Sequence, residues 1–347
     1  MSKTTDLTAL FTVSPKDIKR SLGLIMEAGL VPFVRSSPGR GKSAIARQLA
    51  DELDLELIDI RLSMYESYDF NGLPFPNLEV GLTQFLPVDL FPLDTTPLPE
   101  GKRGWFILLD EFTHAEPEMI RASYKLVLDR MVGMRHLHSN AFIMLAGNGI
   151  DDNALANNVG TAINNRVTHI TLGSDVDFWL TDVAAKFGYD YRIIGYLSAN
   201  KNDLNDFDPE NDDHAFCSER SWEFVSKLIK GVDNLSGYSP LVAGTITPGV
   251  AASFMQFCEI YKNLVHINDV IKDPENCPIP TDSATRWALV THLANACTED
   301  NLTELCAYMD RFVLQYTMIF LRMLDHSLLV KPTASKLLSR VGRAINT

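Results

Sequence analysis

The run Ser36-Ser37-Pro38-Gly39-Arg40-Gly41-Lys42-Ser43 carries the residue types that hold a polyphosphate. Glycines at 39 and 41 permit the backbone dihedrals that turn successive N–H groups toward one anion. The lysine after the second glycine reaches β- and γ-phosphates, and the next hydroxyl ligates a divalent metal. Pro38, Gly39, Arg40, Gly41, Lys42, Ser43 and Ala44 are therefore the candidate nucleotide cradle, with Ser43 a candidate Mg2+ ligand. Ser36 departs from the G-x-x-x-x-G-K-[ST] pattern at its first glycine, whose main task is to ease the turn out of a strand. Taken alone, the stretch also reads as a Gly/Ser turn that leads a lysine into an amphipathic helix.

A second chemical signal follows at Trp105-Phe106-Ile107-Leu108-Leu109-Asp110-Glu111, an apolar run that ends in two acids. A carboxylate at the C-terminal end of a buried parallel strand faces the ligand crevice of an α/β sheet. Asp110 is placed to hold Mg2+, directly or through water, and Glu111 to deprotonate the water that attacks a γ-phosphate. A third strand-like run, 141–146, ends at Gly147-Asn148, where an amide can hydrogen-bond both phosphate and water. Asn148 equally suits a turn.

These groups need strands and helices to converge. The apolar run 31–34 precedes the glycine loop, and Ala44-Ile45-Ala46 opens a helical pattern after it. Ser14-Pro15 reads as an N-cap with proline at the first helical position, followed by Ile18, Leu22 and Ile25 at helical spacing up to Gly29. Residues 55–60 alternate like a strand, and Pro117 starts a helix with Ile120, Tyr124, Val127 and Met131 on one face. Residues 65–99 hold six prolines, which predicts no regular element there, with Phe75, Phe85 and Phe91 either functional or tucked onto the core. Residues 132–140 read as a hairpin. His136 and His138 on it have a spacing that can hold a metal, though no third ligand stands nearby. Asn164-Asn165-Arg166 precedes a fifth strand-like run, 167–172.

Beyond residue 173 the pattern turns helical, interrupted by an acidic stretch from Asn202 to Asp213 that reads as a solvated loop. Ser218 caps a helix through Trp222, Val225 and Ile229. Arg220 sits in its first turn, where the helix dipole slightly disfavours a cation and an anionic partner would rationalise it. A long amphipathic stretch around 300–325 and a basic C-terminal helix complete the chain.

Composition narrows the classes. The 347 residues carry 44 acidic against 31 basic side chains, a formal net charge of −13. That balance argues against a partner held by general attraction to nucleic acid. Five scattered cysteines without C-x-x-C spacing read as reduced, mostly buried thiols. Residues 1–6 lack the apolar core of a signal peptide, and no apolar stretch is long enough to span a bilayer. The expectation is a cytoplasmic protein without a membrane partner.

In order and spacing, the glycine loop, Asp110-Glu111, Asn148, Arg166 and Arg220 resemble an AAA+ ATPase. Leu109-Asp110-Glu111-Phe112-Thr113-His114-Ala115 with Pro117, then Asp129-Arg130-Met131-Val132-Gly133, resembles the MoxR group more narrowly. So do Asp59-Ile60-Arg61-Leu62-Ser63, Gly72-Leu73-Pro74 and Ser218-Glu219-Arg220-Ser221-Trp222. The match covers residues 15–235, with weaker similarity around 248–252. Ser36 replaces a family glycine, and His114 stands where the group usually has arginine.

The resemblance implies an α/β fold: a P-loop core with a five-stranded parallel sheet flanked by helices, in which another strand separates those bearing the P-loop and Asp110. It implies a core over 1–173, a helical lid over 174–235 and a helical C-terminal extension over 236–347. ATP and Mg2+ would be the cofactors, Asn148 sensor 1, Arg166 an arginine finger reaching a neighbouring subunit, and Arg220 sensor 2. Part of residues 70–86 would face a central pore. The implied function is a remodelling motor assembled as a homo-oligomeric ring, a hexamer by resemblance, acting on a protein client or a partner with a von Willebrand factor A-type domain. Two rival readings are a nucleotide-gated scaffold with weak hydrolysis and a DNA-acting loader or helicase. Glu111 speaks against the first, the acidic balance against the second.

Overall fold

The computed structural model describes residues 12–149, 159–208, 210, 214–261 and 267–345. The chain divides into two compact units, Met1–Ser174 with Asp208–Glu210, and Asp175–Phe207 with Asn211–Thr347. Residues 1–6 and the Asp212-Asp213 end of the acidic stretch lie outside the described residues.

The first unit is built on strands β1 (Thr12–Val13), β2 (Val31–Arg35), β3 (Leu55–Arg61), β6 (Gly104–Asp110), β9 (Ala141–Gly147) and β10 (Val167–Leu172); β4, β5, β7 and β8 form two small hairpins described below. They form one sheet in the order β1-β10-β2-β9-β6-β3, with every neighbouring pair parallel. All five expected strands are present, and β9 separates the P-loop strand β2 from the Asp110 strand β6. The two-residue β1 adds a sixth at the edge. Along β6, Trp105, Ile107 and Leu109 enter one apolar cluster while Phe106 and Leu108 enter the other. A sheet covered on both faces needs such uninterrupted apolar runs, which is why these strands read so plainly. Truncating the fully buried Phe106 to alanine would cost about 3–5 kcal/mol.

Helices α1 (Ile18–Glu27) and α2 (Lys42–Glu52) supply Ile18, Leu22, Met26, Ala46 and Leu49 to one face. Helix α1 starts three residues later than expected. Ser14 and its neighbours form a turn in which the Ser14 carbonyl accepts from both Asp17 and Ile18 N–H, and the helix follows. Further on come α3 (Ser67–Asn71) and α4 (Pro117–Asp129). Proline opens α4 as expected, but Met131 falls beyond it, because Arg130 adopts a left-handed backbone (φ 54°) and ends the helix. Met131 then begins β7 (Met131–Val132), which pairs with β8 (Arg135–His136).

The proline-rich stretch departs from expectation. It holds α3 and an antiparallel hairpin of β4 (Leu73–Asn77) and β5 (Leu82–Leu86). Pro74 and Pro76 sit two apart, so both take the alternate positions whose N–H would face away from β5; the ladder loses nothing. Phe91 is buried edge-on against Phe70, whereas Phe75 and Phe85 are 56% and 46% exposed.

The second unit is helical around a single core that includes Trp179, Trp222, Phe254, Tyr308 and Phe320. Ser218 caps the helix Glu219–Ile229, its hydroxyl accepting from Ser221 N–H. The stretch around 300–325 is two helices, Leu302–Met309 and Leu314–Met323. The break is stabilised by Thr317, which donates to the Met309 carbonyl, and by Arg311, which donates to the carbonyls of Pro274 and Cys277. Among the described residues the five cysteines form no disulfide. No helix there is long and apolar enough to cross a membrane.

Candidate active site

Strand β2 delivers the chain to residues 36–41, and α2 leaves from them. Gly39 and Gly41 have φ of 78° and 79°, the left-handed region that a side chain disfavours. Ser36 is outside that region, so the missing family glycine strains nothing. Its side chain has a use that sequence reasoning missed. Lys42, 8% exposed, donates through Nζ to Ser36 O and Ser36 Oγ, both at 3.0 Å, and to Asn148 Oδ1 at 3.3 Å. The ammonium is thereby held at the mouth of the loop with acceptors that a phosphate can replace. Ala44 is exposed in the first turn of α2, whose N-terminal N–H groups favour an anion.

Helix α2 also points Ser43 at β6. Ser43 Oγ donates to Asp110 Oδ2 at 2.5 Å. A hydroxyl and a carboxylate so close are the hard oxygen donors Mg2+ prefers, so these two residues fit the expected metal. The other Asp110 oxygen accepts the Glu111 backbone N–H at 2.8 Å. Glu111 itself is exposed and takes a left-handed backbone, φ 57°, unusual for a side-chain-bearing residue. That turn carries its carboxylate off the strand axis toward Ser63, whose hydroxyl donates to Glu111 Oε2 at 2.5 Å. Sequence spacing assigns Ser63 no role. Its position follows from the register that sets Arg61 of β3 opposite Asp110, which only strand pairing discloses. Burial, then the Asp110 charge, push the nearby Asp59 carboxyl above its ordinary range.

Strand β9 ends beside the loop. Asn148 N–H donates to Thr113 Oγ1 at 3.1 Å while its side-chain oxygen accepts from Lys42. Gly147 makes this approach possible, because a Cβ there would lie 2.8 Å from Thr113 Cγ2. Thr113 is a second residue missed in the sequence. His114, the other family departure, is half-buried with Nδ1 3.3 Å from Thr113 Oγ1.

The structure therefore gathers Lys42, Ser43, Asp110, Glu111 and Asn148 at the C-terminal ends of β2, β6 and β9. Arg166 is exposed two residues after α5 (Gly160–Asn164), ahead of β10. Arg220 is exposed in the first turn of its helix in the second unit. His136 and His138 go separate ways: His136 is exposed on β8, while His138 packs edge-on against Trp105 and accepts the Asn140 N–H.

No family model matches the chain, and no curated protein matches it in sequence. Among solved structures, it is similar to one described as a candidate ATPase of Cytophaga hutchinsonii: 14% identity over 97% of this chain and 92% of that one, TM-score 0.37. A mutant RuvB of Thermotoga maritima is 14% identical over 84% of each chain, TM-score 0.35. Likenesses this distant leave function to the chain's own residues.

Proposed function

We propose that the chain is an ATP-hydrolysing motor of the AAA+ class and MoxR type that assembles as a ring of identical subunits and remodels a protein client. The observation that carries this reading is the convergence of Lys42, Ser43, Asp110, Glu111 and Asn148 at three adjacent strand ends. Bound MgATP supplies the phosphoryl group and a cation that neutralises charge on its oxygens. Residues 38–44 bind the phosphates, and Lys42 exchanges its Ser36 and Asn148 acceptors for phosphate oxygens. Ser43 and Asp110 hold the metal. Glu111 takes a proton from the attacking water, and Asn148 orients that water.

Arg166, exposed beyond α5, serves the nucleotide of the adjacent subunit, and Arg220, in the lid over 174–235, serves as sensor 2. The exposed hairpin β4–β5, with Leu73, Phe75, Leu82 and Phe85, meets the client from the pore side. The extension over 236–347 packs with the lid helices in one core, which supports a rigid arm moved as one body. The cytoplasm is the proposed compartment.

The test is ATPase turnover per subunit over a wide concentration range. A rise to a plateau is expected, because a neighbour completes the site. Finite turnover that stays flat down to concentrations where the protein is verified monomeric would sink the ring and the role of Arg166.

A further inference from the structure

Three buried polar atoms, Arg35 Nε, Asn164 Oδ1 and His169 Nδ1, have no hydrogen-bond partner among the described residues. They belong to one neighbourhood. Strands β2 and β10 pair with His169 opposite Phe33 and Thr171 opposite Arg35, so Arg35, Phe33 and His169 share a sheet face. The Arg35 guanidinium lies 4.2 Å from the centre of the Phe33 ring, and the His169 ring 5.7 Å from it.

His169 Nε2 is 3.0 Å from the main-chain carbonyl oxygen of Asn164. A carbonyl only accepts, so Nε2 carries the proton and Nδ1 is left as an acceptor. Burial lowers the imidazole's pKa; the bond to Asn164 offsets part of this, and the Arg35 charge adds to it. The lowering favours the neutral ring, and the bond to Asn164 selects its tautomer.

The placement links two parts of the proposed machinery. Arg35 immediately precedes Ser36, the residue that receives Lys42. Asn164 is the last residue of α5, where helix carbonyls lack partners of their own, and Arg166 follows two residues on. We propose that His169 is a positioning residue for Arg166, pinning the end of α5 through the Asn164 carbonyl from a ring seated on Phe33 of the P-loop strand. The unpaired atoms have complementary polarity: Arg35 Nε–H gives one proton, and His169 Nδ1 and Asn164 Oδ1 each take one.

This inference rests on the reading of Arg166 as acting in a neighbouring subunit, and the experiment separates the two. His169→Phe keeps a ring against Phe33 and removes both nitrogens. His169→Gln keeps an amide N–H within reach of the Asn164 carbonyl, whereas His169→Asn places its amide nearer the former Nδ1. Nucleotide affinity and ATP turnover are measured for each variant alone, and turnover again in mixed assemblies with Glu111→Gln subunits. Those subunits cannot hydrolyse ATP but present a correctly placed Arg166.

His169→Phe is expected to bind ATP with unchanged affinity and to turn over about 10- to 100-fold more slowly, the cost of a misplaced group. Its turnover should recover in the mixture. His169→Gln should stay near wild type, and His169→Asn should fall like His169→Phe. Wild-type turnover by His169→Phe, or equal turnover by the Gln and Asn variants, would overturn the proposal. So would failure of His169→Phe to recover while Arg166→Ala does, since the defect then lies in the variant's own site. If Arg166→Ala also fails to recover in verified mixed assemblies, the trans reading falls and the positioning role falls with it.

Discussion

Ser36 is the residue by which this P-loop departs from its pattern, and Ser36→Ala measures what the departure does. Lys42 has three protons and at least four acceptors: Ser36 O, Ser36 Oγ, Ser37 O and Asn148 Oδ1. A hydrogen bond to a charged group contributes about 1.5–3 kcal/mol, and redundancy among acceptors brings the loss of Oγ down to about 1 kcal/mol. Alanine adds no backbone strain, because residue 36 is outside the left-handed region. Lys42 must leave this acceptor to reach a phosphate, so the loss falls on the nucleotide-free state alone. The variant should therefore melt about 2–4 °C lower and bind ATP about 5-fold more tightly. Titration with a fluorescent ATP analogue, in a Glu111→Gln background that stops turnover, reads the second number. Weaker binding would refute the reasoning, because Ser36 would then be supporting Lys42 in the bound state.

Lys42→Ala should abolish nucleotide binding in the same titration; tight binding by that variant would remove the P-loop assignment. Glu111→Gln should bind ATP yet lose at least about 100-fold in turnover, as loss of a general base does, and steady-state phosphate release checks it. His169 titrates from 6.5 when unfolded to a lower value when folded, so below about pH 6.5 the unfolded chain binds the extra proton and acid erodes stability. His169→Gln should flatten that part of the stability profile, and an unchanged profile from denaturant melts at pH 5–7 would contradict it. Burial pushes the Cys217 and Cys306 thiols up to about 12, so both should resist a thiol reagent at pH 8 until denaturant is added. Rapid labelling of either in the native protein, by mass spectrometry, would contradict that burial.

The strand ends were legible because a sheet buried on both faces writes itself as uninterrupted apolar runs, and Asp110 and Asn148 stand where those runs stop. The glycine loop was legible for a related reason: two residues there need φ near 80°, which selects glycine. Harder to read were features set by pairing across the sheet. Ser63 approaches Glu111 only through the register of β3 with β6, and Thr113 reaches Asn148 only because Gly147 leaves room. Proline counts misled over residues 65–99, since proline forbids a strand only where its N–H is needed and an isolated ribbon has an outer edge that needs none. The stretch around 300–325 looked continuous because its apolar period survives across Asp310–Val313, while the break depends on side chains reaching carbonyls of distant residues.

That outer edge of β4 has a further consequence. An exposed apolar ribbon normally invites a foreign strand to extend it, because its rim offers donors and acceptors in alternation. At positions 74 and 76 the rim keeps its carbonyls but has no donors, so a neighbouring chain cannot zip on along this side. On this side a contact with Leu73 or Phe75 rests on side chains and not on a backbone ladder. Any extension of this sheet is therefore left to the outer edge of β5, which carries no proline and keeps its donors.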